Sequence, residues 1–123
     1  MTPKELEERL INFAVQVILF LDKIEPTIAG KNLIGQLSRS GTSPALNYGE
    51  AQSAESGKDF IHKLRVVLKE LRETHICLKI VDRAKIHHDL KLLNFLLKEC
   101  NELISIFVKS IETSKKKQSE INR

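Results

Sequence analysis

The residues with most to offer chemically are cations set at a fixed interval. Lys58, Arg65, Arg72 and Lys79 recur every seventh residue, and His62, Lys69 and Arg83 fill the turns between them. Seven residues are nearly two helical turns, so on a helix such a row drifts only about 20° per repeat. From Lys58 to Arg83 it would extend about 37 Å at a rise of about 1.5 Å per residue. Phosphates along a strand or groove can meet a row of this kind, in binding that is salt-sensitive and tolerant of sequence. Few aromatic residues accompany it, so base stacking is poorly provided for. The bland reading is a solvated face, braced by Asp59, Glu70 and Glu73 on a separate arc.

A second constellation precedes it. Arg39, Ser43, Asn47 and Glu50 follow one another at intervals of four, four and three, which puts them on one narrow ridge of a helix. The functional reading is a recognition or catalytic cluster. The structural reading is a polar seam where this helix meets the next one or a neighbouring subunit, with Arg39 satisfied by Glu50, Glu70 or Glu73. Buried polar sets fix register and assembly more readily than they add stability, which favours the seam. Gly41 and Ala45, on the other side of the same helix, suit a close approach of backbones.

Other chemistry finds little support. The chain has no P-loop, GxGxxG, HExxH or nucleophile-elbow pattern. Ser40-Gly41-Thr42-Ser43 is a small-residue helix segment with no general base identified by spacing. His87 and His88 are adjacent and point apart on a helix, while His62 and His75 stand 13 residues apart, so neither pair suits a metal. The Glu-x-x-His pattern of bundle di-metal proteins is absent. No catalytic residue, metal or cofactor is expected, and the protein reads as a non-enzyme.

The elements that must carry these residues are few and long. The 123 residues form one domain, with 41% apolar and 29% charged residues, three prolines, five glycines and a net charge of +4. That charge permits attraction to phosphate without requiring it. Alternating β-branched runs are missing, so the chain is all-α. The first helix starts at Thr2, with Pro3 at the first helical position and Glu5 completing a capping box, and runs to about Asp22. A second covers roughly Thr27 to Ala54, with Pro44 as an interior kink. A third begins after Ser56, with Asp59 three residues on, and continues to about Arg83. A fourth runs from about His88 or Asp89 to Thr113. Residues 1–113 thus make an antiparallel up-down four-helix bundle, and residues 114–123 a basic, flexible tail.

On the fourth helix, Leu93, Leu97, Cys100, Ile104, Phe107 and Ile111 form a seam that Leu92, Phe95, Leu96, Leu103, Ile106 and Val108 widen beyond one face. In the second half of the first helix only Gln16 interrupts the apolar run. A bundle needs one stripe per helix, so the surplus points to a homo-oligomer. Cys77 and Cys100 would lie about two turns apart across a hairpin centred near Ala84, too far for a disulfide. They read as free thiols in a reducing, cytoplasmic setting. Lys4, Glu5, Glu7, Glu8 and Arg9 precede the apolar run, so no signal peptide is expected. The run itself is far below the roughly 20 residues needed to span a bilayer.

Arg39, Ser43, Asn47, Glu50, Phe60, Leu64, Glu70 and Glu73, in that order, resemble the pattern of the four-helix-bundle proteins encoded in intervening sequences of 23S ribosomal RNA genes. The run LLKECNELISIFVKSI is similar to that family's final helix, so the resemblance spans nearly the whole chain. It implies subunits assembled into a ring, as homopentamers. It also implies kinship with accessory proteins of diversity-generating retroelements, where a basic surface engages nucleic acid and a protein partner. The family's usual Asn-Ile-Ala-Glu-Gly is here Asn47-Tyr48-Gly49-Glu50-Ala51, and Gly49 is expected to loosen the helix locally. The function expected is a non-enzymatic oligomeric scaffold binding RNA or DNA through Lys58, Arg65, Lys69, Arg72, Lys79 and Arg83. The alternative is an adaptor that binds protein only.

Overall fold

The computed structural model describes residues 1–121, and within them four helices account for almost everything. These are α1 (Pro3–Leu21), α2 (Ile28–Ala51), α3 (Gly57–Ala84) and α4 (Leu90–Ile121). Each start has a local cause. The Thr2 hydroxyl accepts from Glu5 N, and the Glu5 carboxylate accepts from Thr2 N, closing the expected capping box. Thr27 caps α2 through Gly30 N, Ser56 caps α3 through Asp59 N, and Asp89 accepts from Leu92 N at the head of α4. At the end of α3 the chain turns through Lys85 in the left-handed region (φ 54°), where Ile86 N donates back to Val81 O.

The helices run alternately up and down, and each packs on its sequence neighbours, with α1 closing the ring against α4. The α1–α2 and α3–α4 loops therefore meet at one end. There Glu25 N donates to Ile86 O at 2.9 Å, and His88 N donates to Lys23 O at 2.9 Å. His87 accepts from Asp89 N and leans its ring on Phe20, while His88 contributes its backbone N–H to the loop contact.

The core is apolar and well filled, with Leu10, Phe13, Val17, Phe20, Leu37, Leu64, Leu71, Leu78, Leu93, Leu103 and Phe107 inaccessible or nearly so. Gly41 lets α1 and α2 approach closely, since a Cβ there would stand 2.7 Å from Val17. This is the close approach expected of it. Tyr48 is buried edge-on to Phe107, and α2 continues through both Pro44 and Gly49. Arg9 ties α1 to α4 by a two-pronged bond to Glu99 (2.7 and 2.8 Å) and a third to Glu102.

Two expectations need correction. The chain does not leave the helix at Thr113: α4 continues to Ile121, so residues 114–121 are helix rather than a flexible tail, while 122–123 lie outside the described residues. Apolar periodicity ends at Ile111, but the residues beyond include no glycine or proline and favour helix. The surplus on α4 is also mostly absorbed within the subunit. Leu96 and Leu103 are core, and Leu92, Leu97, Ile104 and Ile106 pack against it. Phe95 and Leu90 remain exposed. On α1 the surplus persists: Ile11, Val15, Ile18 and Leu19 are 42–52% exposed.

Candidate nucleic-acid interface

Ser56 sets the start of α3, and the apolar residues of that helix set its rotation. Ile61, Leu64, Val67, Leu71, Thr74, Cys77, Leu78 and Val81 are buried, which turns the seven-residue cation row outward. Lys58, His62, Arg65, Lys69, Arg72 and Arg83 are exposed, and Lys79 is half-buried. Lys58, Arg65, Lys69, Arg72, Lys79 and Arg83 form no ion pair among the described residues. The row is thus an outward edge broken once by Ile76, itself 52% exposed.

The acids expected to brace this face stand to one side. Glu70 and Glu73 lie on the α2 flank of α3, where burial, and then the negative charge of Glu73, push the Glu70 pKa up; Lys69 opposes the shift. On the α4 flank, burial and then Lys79 push His75 down, so it favours the neutral imidazole.

The α2 ridge forms a line on the surface beside this flank. Asn47 donates to Ser43 Oγ at 2.8 Å and to Ser43 O at 3.0 Å, and Glu50 reaches Lys63 of α3 at 3.4 Å. Arg39 is exposed, and within the described subunit it pairs with none of Glu50, Glu70 or Glu73. The expectation of an internally satisfied, buried Arg39 is therefore not met. The α2–α3 polar contact that is buried joins Ser40 and Thr74, with Cys77 and Gln36 one turn away. Sequence spacing missed it because Ser40 sits in a stretch of small residues where no large side chain marks the inward face.

Sequence reasoning also missed Lys115. With α4 extended, Lys115 comes to line a cleft with Lys58, His62 and Arg65. The available signal was the uninterrupted helix-forming composition after Thr113. Among the described residues no group of three or more His, Cys, Asp or Glu side chains could hold a metal ion. Among the described residues no helix is long and apolar enough to cross a membrane.

Comparison with known proteins agrees with this architecture. Residues 5–109 match the family described as 23S rRNA-intervening sequence protein. A solved structure from Bacteroides thetaiotaomicron, described as a protein of unknown function from the S23 ribosomal protein family, superposes with a TM-score of 0.77. It shares 25% identity, and the match covers 91% of this chain and 99% of that one. No curated protein matches the chain.

Proposed function

The chain belongs to the 23S rRNA-intervening sequence protein family, and from that premise we propose that it is a non-enzymatic, oligomeric scaffold that binds the backbone of RNA or DNA. The observation that carries this reading is the row on α3: six permanent cations, five of them exposed and Lys79 half-buried, with no ion pair among the described residues. Surface acids ordinarily brace a solvated helix face at i, i+4 spacing; here only Glu73 stands so, four residues after Lys69, and the two form no ion pair among the described residues. In an oligomer each subunit would repeat the row, so individually weak contacts would multiply. The outward apolar stripe of α1 supports assembly, for which a ring of five is our proposal. Two buried free thiols support a reducing, cytoplasmic setting.

The test is Arg65→Glu with Arg72→Glu, measured by circular dichroism and by oligonucleotide binding across a salt series. Both side chains are exposed, so the melting temperature should hold. Affinity should fall sharply, and the salt slope should flatten by about 0.7 for each phosphate of a single strand that is no longer neutralised. A double variant that binds as the parent does would return the row to a solvated face.

A protein-only adaptor is the second reading, and the half-exposed Ile76 and Ile80 within and beside the row favour it, since phosphate contacts have no use for them. Purification at low salt separates the two. Nucleic acid released by added salt supports the first; a protein partner retained without nucleic acid supports the second.

A further inference from the structure

Where the last turns of α4 pass the first turns of α3 they flank an open cleft of about 480 Å³, and we infer that it is a seat for a phosphate group. Lys58, His62 and Arg65 line it from α3, and Lys115, Gln118 and Ser119 from α4, with the buried Ile61 between. The inference deepens the scaffold reading and rests on it for the phosphate's origin.

Four features of the cleft argue for phosphate. Its three permanent cations come from two different helices, so positive charge stands on both sides of the cleft. Every other polar group in the lining, an imidazole, an amide and a hydroxyl, can donate a hydrogen bond, and no carboxylate lines it. Phosphate offers only acceptor oxygens with full negative charge, and the Arg65 fork with two lysine point charges complements that. The volume falls within the range of small-ligand clefts and admits one nucleotide unit.

The wall supplied by α4 comes from its last turns. The end of the Gln118 side chain packs on Gly57, at the start of α3. The last buried residue of α4 is Ile111, yet the helix continues to Ile121. Those final turns add nothing fully buried to the core, and they form the second side of this cleft. The positive end of α3, capped at Ser56, lies at the same place and contributes potential of the same sign.

The phosphate can be an internal phosphodiester of a strand or a free phosphate, and the experiment separates them. Lys115→Ala removes a cation from the cleft. Lys117→Ala removes the same charge from the same stretch, but Lys117 faces other cavities, beside Phe60 and Ser114. Alanine preserves the helix in both. With a labelled single-stranded oligonucleotide, Lys115→Ala should lower the salt slope by about 0.7, which is about fivefold in affinity at about 0.1 M salt, and Lys117→Ala should follow the parent. Equal effects of the two substitutions overturn the cleft and leave the scaffold reading intact. Should the parent bind no oligonucleotide, the scaffold reading fails, and amide spectra under inorganic phosphate and a nucleoside monophosphate decide the cleft alone. Shifts at Lys58, Arg65, Gln118 and Ser119 that vanish in Lys115→Ala support a seat for free phosphate; unchanged spectra overturn it. Oligonucleotide binding that senses Lys115 while inorganic phosphate shifts nothing assigns the site to the strand backbone.

Discussion

The hydroxyls of Ser40 and Thr74 meet at 2.9 Å in the buried interface of α2 and α3, and Thr74 also lies 2.8 Å from Glu70 O. Thr74 has one proton to give, so with Glu70 O as its acceptor the Ser40 hydroxyl supplies the other bond. Both side chains are essentially inaccessible. Thr74→Val should strand the Ser40 hydroxyl and cost about 1–3 kcal/mol. Ser40→Ala leaves Thr74 its carbonyl acceptor and should cost less, about 1 kcal/mol. The double variant should be milder than the sum. Urea unfolding measures all three, and additive losses would mean that the pair is not coupled.

Thiol reactivity gives an independent check on the packing. Cys100 donates to Leu71 O at 3.2 Å; burial, and then the charge of Glu99, push its thiol up to about 12. Burial, and then Glu73, also raise Cys77, which contacts the half-buried Gln36. The thiolate is the reactive form, so a thiol reagent at neutral pH should label Cys100 only as fast as the protein unfolds, with Cys77 labelled earlier. Mild oxidation should yield no intramolecular disulfide. Rapid labelling of Cys100 under native conditions would contradict the α3–α4 register.

Glu70 should make stability depend on pH in a recognisable direction. Its pKa is raised by burial first and by the charge of Glu73 second. A carboxyl raised on folding is favoured when protonated, so its contribution is present below the unfolded pKa and is lost as pH rises through the folded one. Glu70→Gln should therefore stabilise the protein near neutral pH, by less than about 1 kcal/mol because the group is partly solvated. The gain should vanish below the usual carboxylate range. Melting curves of parent and variant at pH 7 and below pH 4 test the sign.

How far these features were legible depends on what each residue reveals alone. The capping box of Thr2 and Glu5, and the cap of Ser56 over Asp59, are local chemistry, and both stand where the sequence put them. The separation of Cys77 from Cys100 followed from one turn near Ala84, and Cys100 opposite Leu71 agrees with it. The end of α4 was illegible to apolar periodicity because its last turns bury almost nothing. The ridge was placed on its correct line, but its exposure was not readable. The buried face of α2 is marked by Ser40, Gly41, Pro44 and Ala51 as much as by leucines, so the pattern does not fix the phase. On α4 the apolar width overstated the surplus, since neighbours on both sides use it.

The surplus that remains is on α1, and it makes the most direct prediction about assembly. Leu6, Leu10, Phe13, Val17 and Phe20 are buried, and Val15 lies half a turn away from their centre, pointing straight out of the bundle. Ile11 and Ile18 flank it one turn on either side, and Leu19 adjoins. Covering such half-exposed side chains contributes roughly 1 kcal/mol each, and no internal helix can reach them. A second copy of the chain can. Val15→Glu with Ile18→Glu should leave the bundle folded, because both positions are solvent-facing in the subunit and glutamate suits a helix. The assembly should dissociate, since each interface would then bury charge without a partner. Native mass spectrometry and sedimentation read the outcome. A parent that is monomeric at micromolar concentration, or a double variant that keeps the parental mass, removes α1 as the assembly face.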